Sequence, residues 1–260
     1  MRVVGLHADV LVCTSAVLQT TCTIVRGPSS EDDGEGAPIE AFVIDSPVLP
    51  DELEALPGIL EHVSWPCTGL LATHGDWDHL LGRLAFPGAA LGCAETTAAR
   101  LTGDPGDAVR ALRAFDERLY LERPAPLQLG SLQALPVPGR VDIGAGELEL
   151  QPADGHTPDG MAVWIPWARV LACGDYLSPL EIPMFAPGGS RSAYRATLER
   201  LRPLVEQADH VVPGHGPVLD GVRAAAILRE DLHYLETGEL PLARRGTSPR
   251  RIDEKNRERW

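Results

Sequence analysis

Residues 74–79 place four side chains that can bind divalent metal ions within six positions, in the order His-Gly-Asp-Trp-Asp-His. They follow the apolar run Gly69–Ala72, which predicts a buried strand that opens into a loop. Because a strand end fixes the directions of neighbouring side chains, a tight loop after it can bring several of them to one point. Imidazole mixed with carboxylate suits a borderline or hard divalent cation. Taken alone, the run also fits a polar loop with two ordinary histidines.

Three later segments repeat this context, since each puts a His or Asp beside glycine next to a β-rich run. They are Gly155-His156-Thr157-Pro158, Cys173-Gly174-Asp175 and Pro213-Gly214-His215-Gly216. Side chains that several strands present at the same edge of a sheet converge on one place. These separated segments can therefore form one site together with residues 74–79.

The pattern of apolar residues predicts an α/β protein whose main domain covers residues 1–240. β-Rich runs at Val3–Cys13 and Gln19–Val25 begin the chain, a polar loop is expected at residues 27–38, and strands then alternate with helices. A helical insertion is expected at about residues 95–121, either as a lid over the site or as an ordinary packed helix. Residues 241–260 form a basic tail that we expect to pack loosely.

Charge and composition exclude several classes of protein. The formal net charge is −14, and since the tail carries +4, the other 240 residues carry −18. So acidic a body repels a phosphate backbone, which disfavours nucleic acid as a partner. No stretch approaches the length of a membrane span, and the N-terminus lacks the layout of a secretion signal, so a cytoplasmic protein is expected. The five cysteines show no Cys-x-x-Cys spacing, which argues against a zinc-thiolate site or a disulfide framework.

In their order and spacing, the four motifs resemble those of the metallo-β-lactamase-fold hydrolases, over roughly Val3 to Leu235. The segments Tyr194–Leu201 and Asp209–Pro217 are most similar to the glyoxalase II-like branch of that superfamily. The resemblance implies a four-layer αββα sandwich. Its two mixed sheets would carry a metal site at one edge.

The resemblance also implies a site for two metal ions, with a bridging hydroxide as the nucleophile. The first ion would be held by His74, Asp76 and His156. The second ion would be held by Asp78, His79 and His215, and Asp175 would bridge both ions. Of these residues, Asp78 and Asp175 are assigned as catalytic.

Four further residues are predicted to contact substrate. One lies between two of the ligands and the others lie on the loop after Asp175: Trp77, Tyr176, Met184 and Phe185. For Trp77 a position in the core is an equally good interpretation. For the other three residues, contact with substrate and a purely structural role are about equally good interpretations.

Asp76 departs from the family pattern, which usually has a histidine at this position. A carboxylate still binds zinc, but it makes the first donor set harder and more favourable to iron or manganese. We therefore expect two divalent ions, with zinc as the first choice and iron or manganese as alternatives.

The leading functional hypothesis is hydrolysis of a thioester, ester or lactone in a small-molecule substrate. A small-molecule phosphodiesterase on the same dinuclear site is the second hypothesis. An iron-dependent oxygen-using enzyme, suggested by Asp76, is the third, and a metal-binding protein without catalysis is the fourth. A homodimer is left open.

Overall fold

The computed structural model describes residues 1–29, 39–244 and 247–259; most of the polar loop predicted at residues 27–38 lies outside them. A seven-stranded sheet follows the order of the chain: β1 (Arg2–His7), β2 (Val10–Thr14), β3 (Thr21–Arg26), β4 (Ala41–Asp45), β5 (Cys67–Ala72), β6 (Leu91–Ala94) and β7 (Leu132–Leu135). Neighbours from β1 to β4 are antiparallel, whereas those from β4 to β7 are parallel. The sheet is therefore mixed.

A second sheet has six strands in the spatial order β13-β12-β11-β10-β9-β8. Their bounds are β8 (Gly139–Ile143), β9 (Gly146–Pro152), β10 (Met161–Ile165), β11 (Val170–Ala172), β12 (His210–Val212) and β13 (Leu219–Asp220). Only the pair β11 and β12 is parallel, so this sheet is also mixed.

Helices cover the outer faces of both sheets. Their bounds are α1 (Pro50–His62), α2 (Gly82–Ala85), α3 (Glu95–Gly103), α4 (Asp107–Leu119), α5 (Arg191–Gln207), α6 (Gly221–Thr237) and α7 (Thr247–Arg257). Among the described residues, no helix is long and apolar enough to cross a membrane.

Three buried layers show how the sheets and helices are stacked. Successive strand residues point to opposite faces, so Leu70 of β5 packs with the helices α1 to α4 while Leu71 packs between the sheets. In the second sheet, Leu171 of β11 packs beneath α5 and α6. Its neighbour Val170 faces the middle layer. The four-layer αββα sandwich that the family resemblance implies is confirmed.

The insertion at residues 95–121 consists of two packed helices, α3 and α4. Leu112 and Phe115 of α4 are buried in the outer core layer. The ring of Phe115 lies 4.6 Å, between ring centroids, from that of Trp77. This packing favours the interpretation of the insertion as ordinary packed helices.

The β-rich run Val3–Cys13 forms two strands, the hairpin β1–β2, which turns at residues 8 and 9 without Gly or Pro. The prediction for the C-terminal tail is wrong. The basic tail is not loosely packed, because it contains α7 and buries both Ile252 and Asn256.

Candidate metal centre

The seven side chains predicted as ligands come together where their strands end. His74 lies two residues after β5, and a short 3-10 turn at Trp77–His79 brings two more ligands to the same place. His156 lies between β9 and β10. Asp175 and His215 each lie three residues beyond the last residue of a strand, β11 and β12. Both sheets therefore contribute to one cluster.

The first group of ligand atoms surrounds one carboxylate oxygen of Asp175. Oδ2 of Asp175 lies 3.9 Å from Nε2 of His74 and 3.3 Å from Nε2 of His156. Oδ2 of Asp76 lies 3.7 and 3.5 Å from the same two nitrogens. Four donor atoms from four residues thus face one point.

The second group surrounds the other oxygen of Asp175. Oδ1 lies 3.2 Å from Nε2 of His79 and 3.3 Å from Nε2 of His215. Oδ2 of Asp78 lies 3.8 and 3.4 Å from these nitrogens. Asp175 therefore presents one oxygen to each group.

These separations fit metal coordination. Tetrahedral zinc with bonds of about 2.0–2.1 Å places neighbouring ligand atoms roughly 3.3 Å apart. Several of the inward-facing atoms are also fully buried without a hydrogen-bond partner: Nε2 of His74, His79 and His156, and Oδ1 of Asp175. Because an unsatisfied buried polar atom is costly, four of them facing one space indicate a cation-binding site rather than a finished polar core. The residues present fit a metal site.

Asp45, at the end of β4, orients two of the histidines. Its Oδ2 lies 3.0 Å from Nδ1 of His79 and accepts a 2.8 Å hydrogen bond from the hydroxyl of Thr73. That hydroxyl lies 3.1 Å from Nδ1 of His74 and, because it donates to Asp45, it accepts from this nitrogen. Both rings thus carry their proton on Nδ1, which leaves the Nε2 lone pair directed at the site.

Backbone carbonyls orient the other two histidines. Nδ1 of His156 lies 3.0 Å from the carbonyl oxygen of Met184, and Nδ1 of His215 lies 3.0 Å from that of Leu18. A carbonyl can only accept, so both Nδ1 atoms donate. All four imidazoles are therefore fixed in the tautomer that binds a metal through Nε2.

Buried carboxylates dominate the electrostatics of the cluster. Burial alone lowers the pKa of His215, but Asp175 and Asp78 outweigh it and raise this pKa to about 10. Burial would raise the pKa of the Asp175 carboxyl, but His215 and His79 hold it well below its usual range. The Asp175 carboxylate thus stays ionised, and the cluster attracts positive charge, which a divalent cation can supply instead of protons.

Glycine is required where the chain passes behind Asp175. A Cβ at Gly214 would lie 2.1 Å from Oδ1 of Asp175, well inside contact distance. The hydroxyl of Tyr194 donates to the backbone oxygen of Asp175 at 3.0 Å. A hydrogen bond therefore holds the backbone of Asp175, and its carboxylate lies close against the backbone at Gly214.

The structure corrects two of the four substrate-contact predictions. Tyr176 is 2% exposed, and its hydroxyl accepts from the backbone N–H of His156 while it lies within hydrogen-bond distance of the Ala153 and Asp154 carbonyls. Phe185 is 3% exposed and packs in the core beneath α5 and α6. Both residues support the site from behind, because the loop after Asp175 folds inward.

The other two substrate candidates are half-buried. Trp77 packs on Phe115, and Met184 lines a cavity of about 10 Å³ beside His156 and Asp175. A larger groove, of about 610 Å³, runs along α4 and is lined by none of the seven ligand residues. Its size therefore says nothing about the substrate.

Three residues at the site were not found from the sequence: Asp45, Arg100 and Asp159. Arg100 forms ion pairs with Asp76 and Asp159, and Asp159 also accepts from the backbone N–H of Gly75 at 2.9 Å. An acid at the end of β4, next to β5, was a usable signal for Asp45. No local pattern marked the other two.

Comparisons with known proteins agree with this geometry. The sequence model of the metallo-beta-lactamase superfamily matches residues 64–215. No curated protein matches the chain. The resemblance to the glyoxalase II-like branch stays a prediction.

Solved structures share the fold at low sequence identity. A metallo-beta-lactamase from Pontibacter korlensis is 18% identical with a TM-score of 0.64, over 91% of this chain and 99% of that one. TTHA1623 in a di-iron-bound form is 22% identical with a TM-score of 0.60, over 82% of this chain and 96% of that one. The sec-alkylsulfatase Pisa1 from Pseudomonas sp. is 14% identical with a TM-score of 0.65, over 90% of this chain and 41% of that one.

Proposed function

The chain belongs to the metallo-beta-lactamase superfamily, and we propose that it is a dinuclear metal-dependent hydrolase that cleaves a thioester, ester or lactone bond in a small molecule. The orientation of Asp175 carries this proposal. Its Oδ2 faces His74 and His156, while its Oδ1 faces His79 and His215. A carboxylate shared between two sets of imidazoles supports two ions side by side.

The residues that would hold the first ion are His74, Asp76 and His156, and those for the second are Asp78, His79 and His215. Bound ions would supply a water of lowered pKa as nucleophile and stabilise the charge that develops on the carbonyl oxygen.

The chain itself sets the positions on which this chemistry depends. Asp45 fixes the tautomers of His74 and His79, and burial of the cluster limits the access of bulk water. Asp78 and Asp175 remain the proposed catalytic residues, because their oxygens lie among the imidazoles where the reacting water would be held.

We propose zinc in both positions, with iron or manganese as alternatives. Four imidazoles and three carboxylates form a borderline donor set that accommodates all three metals. The carboxylate of Asp76 moves the first group toward the harder ions. A small-molecule substrate is proposed because the strongly acidic body opposes polyanions.

The experiment is elemental analysis of the purified protein, followed by turnover assays after reconstitution with zinc, iron or manganese. The panel contains thioesters, aryl esters, lactones and a small phosphodiester. We expect two ions per chain and hydrolysis of at least one carbonyl substrate, which chelation abolishes and added metal restores.

Other outcomes decide against the proposal. A protein with two ions that cleaves only the phosphodiester is a phosphodiesterase. One that holds iron alone, consumes oxygen and hydrolyses nothing supports the oxygen-using alternative suggested by Asp76. Bound metal with neither turnover of any substrate in the panel nor consumption of oxygen contradicts all these enzymatic functions.

A further inference from the structure

Arg100, on α3, inserts its guanidinium between two carboxylates beside the first ligand group. Nη2 lies 2.6 Å from Oδ1 of Asp76, and Nη1 lies 2.8 Å from Oδ1 of Asp159. The Arg100 side chain is 27% exposed and that of Asp159 only 1%. This ion pair is thus shielded from solvent on one side, unlike an ordinary surface pair.

The same triad also holds the backbone of the ligand loop. The second oxygen of Asp159, Oδ2, accepts from the N–H of Gly75 at 2.9 Å. A Cβ at Gly75 would lie 3.2 Å from this oxygen and 3.4 Å from the Arg100 side chain. The absence of a side chain between His74 and Asp76 therefore lets Arg100 and Asp159 approach the loop closely.

The contact divides the two oxygens of Asp76 between different partners. Oδ1 is held by Arg100, whereas Oδ2 is the atom near Nε2 of His74 and His156. A free carboxylate can bind a metal through both oxygens, but a guanidinium that holds one oxygen in a fixed direction leaves a single donor. Its positive charge also offsets the negative charge that Asp76 brings in place of a neutral imidazole.

We propose that Arg100 is a positioning residue that makes Asp76 a one-oxygen, charge-compensated ligand, so that the first metal position keeps a low coordination number. This inference rests on the proposed two-metal site and concerns how that site is built. It explains how an aspartate can stand where the family usually has a histidine.

The test compares Arg100→Gln and Arg100→Lys with the wild type by titrating metal-free protein with Zn²⁺ against a chromophoric chelator. The matched control is Arg110→Gln, since Arg110 also pairs with aspartates but on exposed surface away from the ligands. In Arg100→Gln, the affinity of one of the two binding steps should change by roughly 10–100-fold, the size of effect for an outer partner of a metal ligand. The other step should be unchanged.

A spectroscopic readout separates positioning from a loss of structure. Cobalt-loaded Arg100→Gln should show weaker visible absorption than the wild type, because Oδ1 of Asp76 becomes free to add a donor and raise the coordination number. Arg100→Lys keeps the charge but lacks the planar fork, so its affinity should lie between those of Arg100→Gln and the wild type. Arg110→Gln should match the wild type in both measurements.

The inference is overturned if Arg100→Gln binds both ions as tightly as the wild type with an unchanged cobalt spectrum. If Arg100→Gln does not fold, the inference is overturned when Arg100→Lys matches the wild type in both metal affinity and cobalt spectrum. If the Arg100 variants change metal binding as expected but the protein hydrolyses no substrate, this inference holds and the proposed function is wrong. If the protein hydrolyses a carbonyl substrate but the Arg100 variants leave metal binding unchanged, the proposed function holds and this inference is wrong.

Discussion

At the scale of single residues, the site depends on which atom of each side chain faces the centre. The histidines present Nε2 because their Nδ1 atoms are held by Thr73, Asp45 and two backbone carbonyls. Asp175 presents both oxygens, one to each ligand group. Loss of a histidine therefore affects one group, whereas loss of Asp175 affects both.

For this reason, Asp175→Ala should abolish paired metal binding. Loss of an outer partner of a ligand costs roughly 10–100-fold in affinity, so loss of the shared ligand should cost more than about 100-fold. Metal content after dialysis and chelator competition measure the effect. Asp142→Ala, an exposed acid on β8, is the control and should retain both ions. Two tightly bound ions and full activity in Asp175→Ala would show that the ligand assignment is wrong.

Sequence patterns led to the ligands because each lies at a strand end beside glycine or within a run of ligand types. They did not lead to the residues that orient them. Asp45, Arg100 and Asp159 act on partners 28, 24 and 59 positions away, and such contacts exist only after the chain has folded. Tyr176 and Phe185 were misjudged because sequence order cannot show whether a loop side chain turns inward.

At the scale of elements, the C-terminal segment is part of the site's support. Asn256 of α7 accepts from the N–H of Phe185 at 3.1 Å and donates to the carbonyl of Pro183 at 2.6 Å. Arg244 donates to the carbonyl of Glu181 at 2.8 Å. These contacts hold residues 178–185, which include the Met184 carbonyl that orients His156. No sequence pattern indicated this support, because the buried contact is polar and α7 has no apolar stripe.

Asn256→Ala should therefore affect both stability and metal binding. It leaves the Phe185 N–H and the Pro183 carbonyl buried without partners, and each unsatisfied group costs about 1–3 kcal/mol. Urea unfolding should show a loss in that range or above it. Chelator competition should show weaker binding in the group that contains His156. Lys255→Ala, an exposed neighbour on α7, is the control; equal stability of the two variants would refute this role for Asn256.

At the scale of the whole molecule, the stacking of layers was predictable and the buried charges were not. Alternating strands and helices predict an α/β protein, the family resemblance implies two sheets covered by helices, and this arrangement is confirmed. A buried ion pair joins the tail to α6: Nη2 of Arg244 lies 2.7 Å from Oδ1 of Asp231, and both side chains are 1% exposed. Isolated charges in a sequence do not reveal that they will be buried against each other.

This pair should make stability depend on pH. Burial raises the pKa of Asp231 to about 7 although Arg244 lowers it, whereas an aspartate in the unfolded chain titrates near about 3.9. The folded state thus holds the proton more tightly, so this group stabilises the fold below pH of about 4. Its contribution is lost as the pH rises through about 7.

Arg244→Met tests this pH dependence, because it removes the cation that compensates Asp231. Leaving a buried charge without its partner costs about 3–5 kcal/mol, and we expect that loss at pH 8. At pH 5, Asp231 takes up a proton and escapes most of the penalty, so the loss should be clearly smaller. Urea unfolding of metal-free protein at both pH values measures the difference and keeps metal release out of the comparison. The double variant Asp231→Asn with Arg244→Met should lose this pH dependence; an equal loss in Arg244→Met at pH 5 and pH 8 would mean that Asp231 does not titrate in this range.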